Sequence, residues 1–301
     1  MIPFVRDMDF RYGEAQQVSP LIRRVIANNP GPFTYLGTGT YIVGRGEVAV
    51  IDPGPLDQDH LRALLEATEG ERIAVILVTH DHADHAPLAA DLAKATGARI
   101  VGCRPLPERQ AMPQGVEEGL DPLYRPDHTP ADREAITGPG WTLRAMTTPG
   151  HTSNHICFAL EEERALFTGD HVMGWSTTVV IPPDGDMTDY YASLRKVMDG
   201  GFATLWPTHG PPITDPAPFL AAYLDHRLKR EAQILGVLGR GPAMIDALVG
   251  EIYVGLDPRL KRAAAASVLA HLLHLVRTGQ AVSDGHPGLE SSFGLATSRP
   301  A

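Results

Sequence analysis

The chain has 301 residues, 43% hydrophobic and 21% charged, which is enough for one large globular domain and a small one. No apolar run is long enough for a membrane-spanning helix, and two cysteines, Cys103 and Cys157, are too few for a disulfide framework, so a reducing cytoplasm is the expected setting. The net charge of −10 argues against a general nucleic-acid binder, although residues 223–281 carry eight Lys/Arg against five acids.

The opening residues carry early acids and no apolar core, so no secretory signal is expected. Residues 34–52 contain two β-branched runs joined by Gly44-Arg45-Gly46, a hairpin pattern. Leu61, Leu64 and Leu65 have helical spacing within 58–68, and 73–78 (IAVILV) is a buried strand running into Thr79-His80. Residues 87–96 predict a helix and 98–101 a strand, whereas 104–140 is rich in Pro, Gly and acids and reads as loop or insert. Strands are expected at 141–147, 155–160, 164–168 and 203–206, with a helix at 188–199.

From about 217 the pattern becomes helical, over 217–238, 243–253 and 258–277, followed by a short strand near 281. Three helices and a small hairpin fit a winged-helix-like module. The expected division is therefore 1–222 for the larger domain and 223–301 for the module, whose last fifteen or so residues read as a loose tail.

Candidate ligands repeatedly follow a strand. The run Thr79-His80-Asp81-His82-Ala83-Asp84-His85 places three imidazoles and two carboxylates in seven positions. A helix would send His80, His82 and His85 to different faces; a loop leaving a strand can fold them around a point. Farther along, His151 follows Pro149-Gly150, Asp170 follows the 164–168 strand and His209 follows the 203–206 strand. Nitrogen and oxygen donors of this kind suit zinc, and manganese or iron accept similar sets.

HxHxDH, then GH, then GD, then a late His resembles the pattern of the metallo-β-lactamase superfamily. The resemblance implies an α+β fold, an αββα sandwich of two mixed sheets covered by helices, with metals at one edge. It implies two divalent ions: His80, His82 and His151 on the first, Asp84, His85 and His209 on the second, and Asp170 bridging. A bridging hydroxide would be the nucleophile, with Asp84 as the catalytic residue that takes or orients its proton. Asp52 resembles a structural acid of the family that supports the ligand loop. Asp81 fits a carboxylate behind a ligand histidine or a solvated acid, and His155 fits a supporting or substrate-side role.

Authentic β-lactamases of the superfamily usually carry Cys or Ser where this chain has Asp170, and its lactonases carry Tyr where it has Met173. TPGHTSNHICF (148–158), FTGDHVMGWSTTVV (167–180) and the helical region after THGPPI (208–213) are similar to the β-lactamase-like protein 2 group, in which activity on single-stranded RNA is implied. The alternatives are a glyoxalase II-like thioesterase, another small ester, lactone or β-lactam hydrolase, and a non-enzymatic module with a structural metal. Thr177, Thr178 and Trp175 are candidates for lining the substrate pocket, and Arg259 and Arg262 for contacting substrate. Arg227, Lys229 and Arg230 could track phosphates or be ordinary solvated charges, and the module could equally close the cleft or form a homodimer contact. His171 is expected to face away from the ligand loop.

Overall fold

The computed structural model describes residues 1–106 and 119–296, apart from the side chain of Arg259. In chain order the elements are β1 (Gln16–Gln17), β2 (Ile22–Ile26), β3 (Gly39–Arg45), β4 (Glu47–Ile51), α1 (Gln58–Ala67), β5 (Arg72–Val78), α2 (Leu88–Thr96) and β6 (Arg99–Gly102). There follow β7 (Ala135–Gly138), β8 (Trp141–Thr147), β9 (Ile156–Leu160), β10 (Ala165–Gly169), α3 (Met187–Asp199), β11 (Thr204–Pro207) and α4 (Pro216–Leu238). The chain closes with β12 (Ala243–Met244), α5 (Ile245–Ile252), α6 (Lys261–Arg277), β13 (Ala281–Ser283) and β14 (Ser292–Leu295).

Strands β1 to β6 form one sheet in sequence order, antiparallel up to β4 and parallel from β4 to β6. The second sheet has the order β11-β10-β9-β8-β7, with only the β10–β11 pair parallel. Both sheets are thus mixed, as expected. Alternation along each strand assigns side chains to layers. Ala165 and Phe167 of β10 face the core shared with the first sheet, while Leu166 between them faces the opposite way, into a cluster with Tyr190 and Leu194 of α3. Leu64 of α1 and Leu88 and Leu92 of α2 close the first sheet's other side. The Asp57 carboxylate caps α1 by accepting from Asp59 N and His60 N, and Asp186 caps α3 in the same way, each satisfying amides that a helix start leaves unpaired.

Helix α4 joins the two parts of the molecule. Its first half places Phe219, Leu220 and Tyr223 in the cluster beneath the second sheet, and its second half places Ile234 and Leu238 in a third cluster with α5, α6 and Phe293. The expected division at 222/223 falls inside this continuous helix.

Two parts of the fold depart from expectation. Within the segment read as loop or insert, 135–138 forms an edge strand on β8. The C-terminal stretch read as a loose tail supplies β14, the central strand of a three-stranded sheet ordered β12-β14-β13. Phe293 is fully buried there. One aromatic among Ser and Gly has no periodicity to read, and its stability comes from partners nearly fifty residues away on one side.

Candidate metal centre

The parallel strands end at one edge, and the ligand candidates follow them. His80 lies two residues beyond β5, Asp170 immediately follows β10, and His209 lies two residues beyond β11, while His151 occupies the turn between β8 and β9. Gly150 makes that turn possible. Its φ of +144° suits glycine, and a Cβ would lie 2.4 Å from Tyr190 Cα. Gly150→Ala is accordingly expected to destabilise the fold by about 2–4 kcal/mol, through strain and overpacking together, measured by urea unfolding.

All seven predicted ligands meet. The donor atoms of His80, His82 and His151 lie within 4.8 Å of one another, as do those of Asp84, His85 and His209, and those of His80, His85 and Asp170. Each of these groups could hold a cation. Asp170 spans the two sides: Oδ1 is 3.4 Å from His209 Nε2 and 3.6 Å from His85 Nε2, and Oδ2 is 3.9 Å from His151 Nε2. Asp84 Oδ2 is 3.0 Å from His209 Nε2. Asp84 Oδ1, Asp170 Oδ1, His85 Nε2 and His209 Nε2 are buried with no hydrogen-bond partner. Buried polar atoms are rarely left so, and four of them converging here fit cations as the missing partners.

Three of the remaining ring nitrogens are anchored by the surrounding protein. His151 Nδ1 donates to Val179 O at 2.6 Å, His209 Nδ1 lies 3.2 Å from Gly37 O, and His85 Nδ1 lies 2.9 Å from Asp52 Oδ2. Such partners fix the tautomer that leaves Nε2 available to a metal. Asp52 is the hub of this arrangement. Fully buried, it also accepts from Thr79 N, Thr79 Oγ1 and Thr208 Oγ1, tying the loops after β5 and β11 together.

Burial and the neighbouring imidazoles push His80 well below the usual histidine range. Burial also works against the charged forms of Asp84 and His85, but their mutual attraction prevails: Asp84 is held well below its usual range, and His85, facing Asp84, Asp170 and Asp52, well above its own. Three carboxylates around one imidazole call for positive charge at that point. A proton supplies it in the absence of metal, and a cation would displace that proton.

Other candidates fall elsewhere. Asp81 is buried, and its carboxylate accepts from Leu106 N and the Asn154 amide. Thr178 is turned inward, its hydroxyl donating to Asp170 O or His171 O, whereas Thr177 lines the cleft beside His82, His151 and Asp170. His171 is fully buried between Tyr190 and His155, and burial lowers it to about 3. The cleft's other walls are Pro32, Phe33, Met173, Trp175, Ser176 and Val179, and the Trp175 indole stacks on Tyr35 with ring centroids 4.6 Å apart. Pro32 and Phe33 lie just ahead of the predicted hairpin segment 34–52, and Tyr35 lies within that segment but before β3 begins at Gly39.

The cations of the C-terminal part are largely engaged. Arg227 is buried and donates to Thr178 O, Lys229 pairs with Asp225, Arg230 lies over Tyr253, Arg240 pairs with Glu251, and Arg277 with Asp186. Arg227, Lys229 and Arg230 therefore form no common phosphate-tracking surface. Lys261 and Arg262 are exposed at the start of α6, beside a separate cavity of about 470 Å³. The side chain of Arg259 lies outside the described residues.

Comparison with known proteins agrees with this architecture. The chain is 31% identical over 269 residues to "Beta-lactamase-like protein 2 homolog" of Caenorhabditis elegans, covering 88% of this chain and 87% of that protein. It is 34% identical over 252 residues to "Atrochrysone carboxyl ACP thioesterase" of Aspergillus chevalieri, covering 80% and 75% respectively. A solved structure of a beta-lactamase domain protein from Burkholderia ambifaria superposes over 98% of this chain and 97% of its own with a TM-score of 0.76 at 20% identity, a likeness of fold. Residues 245–288 match the beta-lactamase associated winged helix domain. Since residues 35–209 match the metallo-beta-lactamase superfamily across the segment that gathers the His/Asp cluster, the chain belongs to that superfamily of metal-dependent hydrolases and carries a winged-helix domain behind its catalytic fold.

Proposed function

We propose that the protein is a dinuclear-metal hydrolase that cleaves a thioester or related small acyl ester. The observation that carries this reading is the character of the cleft wall: beside the cluster stand Pro32, Phe33, Met173, Trp175 and Val179, with no Lys or Arg among the described residues that line it. An apolar wall suits the hydrocarbon part of an acyl group, whereas a phosphodiester calls for cations at the point of cleavage. The relative named as an acyl-carrier thioesterase fits the same chemistry.

In this reading His80, His82 and His151 would hold one ion and Asp84, His85 and His209 the other, with Asp170 placed to serve both. When bound, two such ions supply a water made acidic enough to attack near neutral pH, and polarise the scissile carbonyl. Zinc suits the thiolate-free donor set. Asp84 Oδ1, buried and unpaired, is the atom placed to take or orient the nucleophile's proton. Trp175 and Phe33 position the acyl portion and keep water from the rest of it. The two free, buried cysteines agree with a cytoplasmic setting.

Exposed Lys261 and Arg262, with the likeness to the β-lactamase-like protein 2 homolog, favour cleavage of single-stranded RNA as the second reading. One experiment separates them. Purified protein, stripped with chelator and reloaded with zinc, is offered acyl thioesters of increasing chain length and an end-labelled RNA oligonucleotide. Zinc-dependent thioester hydrolysis with intact RNA is expected; RNA cleavage without thioester hydrolysis overturns the proposal.

A further inference from the structure

Beside the metal ligands, a chain of hydrogen bonds returns to the turn that carries Asp170. The Asp170 amide N–H donates to His155 Nε2 at 3.3 Å. That nitrogen must then be the unprotonated one, so the proton sits on Nδ1, which faces Thr148 Oγ1 at 2.9 Å. With the Thr148 oxygen accepting, its own hydrogen is free to point at Cys157 Sγ, 3.2 Å away. The Cys157 thiol in turn donates to Thr168 O at 3.5 Å, two residues before Asp170. The ring closes: Asp170, His155, Thr148, Cys157, Thr168. Every donor has one acceptor, and the directions agree only for neutral His155 in the Nδ1–H form.

The surroundings leave this ring little play. His155, Thr148, Cys157 and Thr168 are all at most 1% exposed. Gly169, between Thr168 and Asp170, has φ +50°, and a Cβ there would stand 2.6 Å from His155 Nε2 and 2.8 Å from Thr79 Oγ1. The turn therefore presses directly on the imidazole that accepts from it.

We infer that His155 is a positioning residue: locked by Thr148 and Cys157 in the Nδ1–H tautomer, it holds the Asp170 backbone so that the carboxylate spans both halves of the cluster. His155 itself binds no metal in this arrangement, because Nε2 is spent on the Asp170 amide and Nδ1 on Thr148. This inference rests on the proposed sharing of Asp170 between two ions, but the tautomer and the hydrogen-bond ring stand apart from it. Thr148 and Cys157, small residues in the sequence with no marked chemistry, acquire a role through the same ring.

The test exploits two amides that each mimic one ring nitrogen. In His155→Gln the side-chain oxygen can reach the Nε2 position and accept from Asp170 N–H; in His155→Asn the amide can reach only the Nδ1 position, toward Thr148. Zinc titration of the stripped proteins should show His155→Asn weakening one of the two ions by about 10–100-fold, and His155→Gln staying within about threefold of the parent. Equal losses in the two variants would reduce His155 to packing and overturn the inference. The ¹⁵N and ¹H shifts of His155 in the metal-free parent protein give a check that needs no variant: the Nδ1–H tautomer is expected, and the Nε2–H tautomer overturns the inference. Thr148→Val, of matched shape, should lose that tautomer preference and weaken the same ion as His155→Asn; an unchanged tautomer and affinity would count against the ring. If the parent binds only one zinc while His155 holds the Nδ1–H form, the dinuclear reading fails and the ring survives.

Discussion

Replacing Asp84 by Ala should lower kcat/KM for the preferred thioester by on the order of 10³-fold, the scale of losing a positioned proton acceptor in the transition state. The zinc content should fall from about two ions per chain towards one, because Asp84 Oδ2 sits 3.0 Å from His209 Nε2 in the group assigned to the second ion. The fold should survive. In the metal-free protein His85 and His209 hold Asp84 well below its usual range, so the variant forfeits that attraction and is expected to unfold at a lower denaturant concentration than the parent while still folding. Turnover within tenfold of the parent would remove Asp84 from the reaction.

Asp52→Ala should act in the opposite order, on stability first. Its carboxylate is fully buried and serves Thr79 N, Thr79 Oγ1, Thr208 Oγ1 and His85 Nδ1. Deleting it leaves an amide, two hydroxyls and an imidazole without their acceptor, which is expected to cost about 3–5 kcal/mol in the metal-free protein. His85 also loses the partner that fixes its tautomer, so zinc affinity should fall by about 10–100-fold in whatever fraction folds. Asp52→Asn, which keeps the shape and one acceptor oxygen, should lie between the parent and the Ala variant in urea midpoint. Full parental stability in both variants would show that the hub is dispensable.

The His/Asp cluster was legible because its members are written close to strand ends. HxHxDH falls in one loop after an unmistakable strand, and Asp170 and His209 each follow a short apolar run closely. The same logic did not reach the cleft wall. Phe33 and Tyr35 lie in a loop whose place beside Trp175 is set by long-range packing, with no local periodicity to announce it. Arg227 shows the reverse error. Beside Lys229 and Arg230 in sequence it looks like one more surface charge, but helical rotation carries it to the buried face, where it donates to Thr178 O. Strand β2 was obscured by Arg23 and Arg24, which interrupt an apolar run; Arg23 is matched by Glu71 from a different part of the chain.

Because α4 contributes to the sandwich with one half and to the winged-helix domain with the other, the two bodies share a common beam rather than a hinge. Tyr223 and Arg227 on that beam also clasp the Thr178 segment next to the ligands, so swinging one body away would mean bending 23 residues of regular helix and breaking that clasp. The way to the cluster then runs along walls that are themselves braced, with Phe33 lining the cleft and Tyr35 stacked on Trp175.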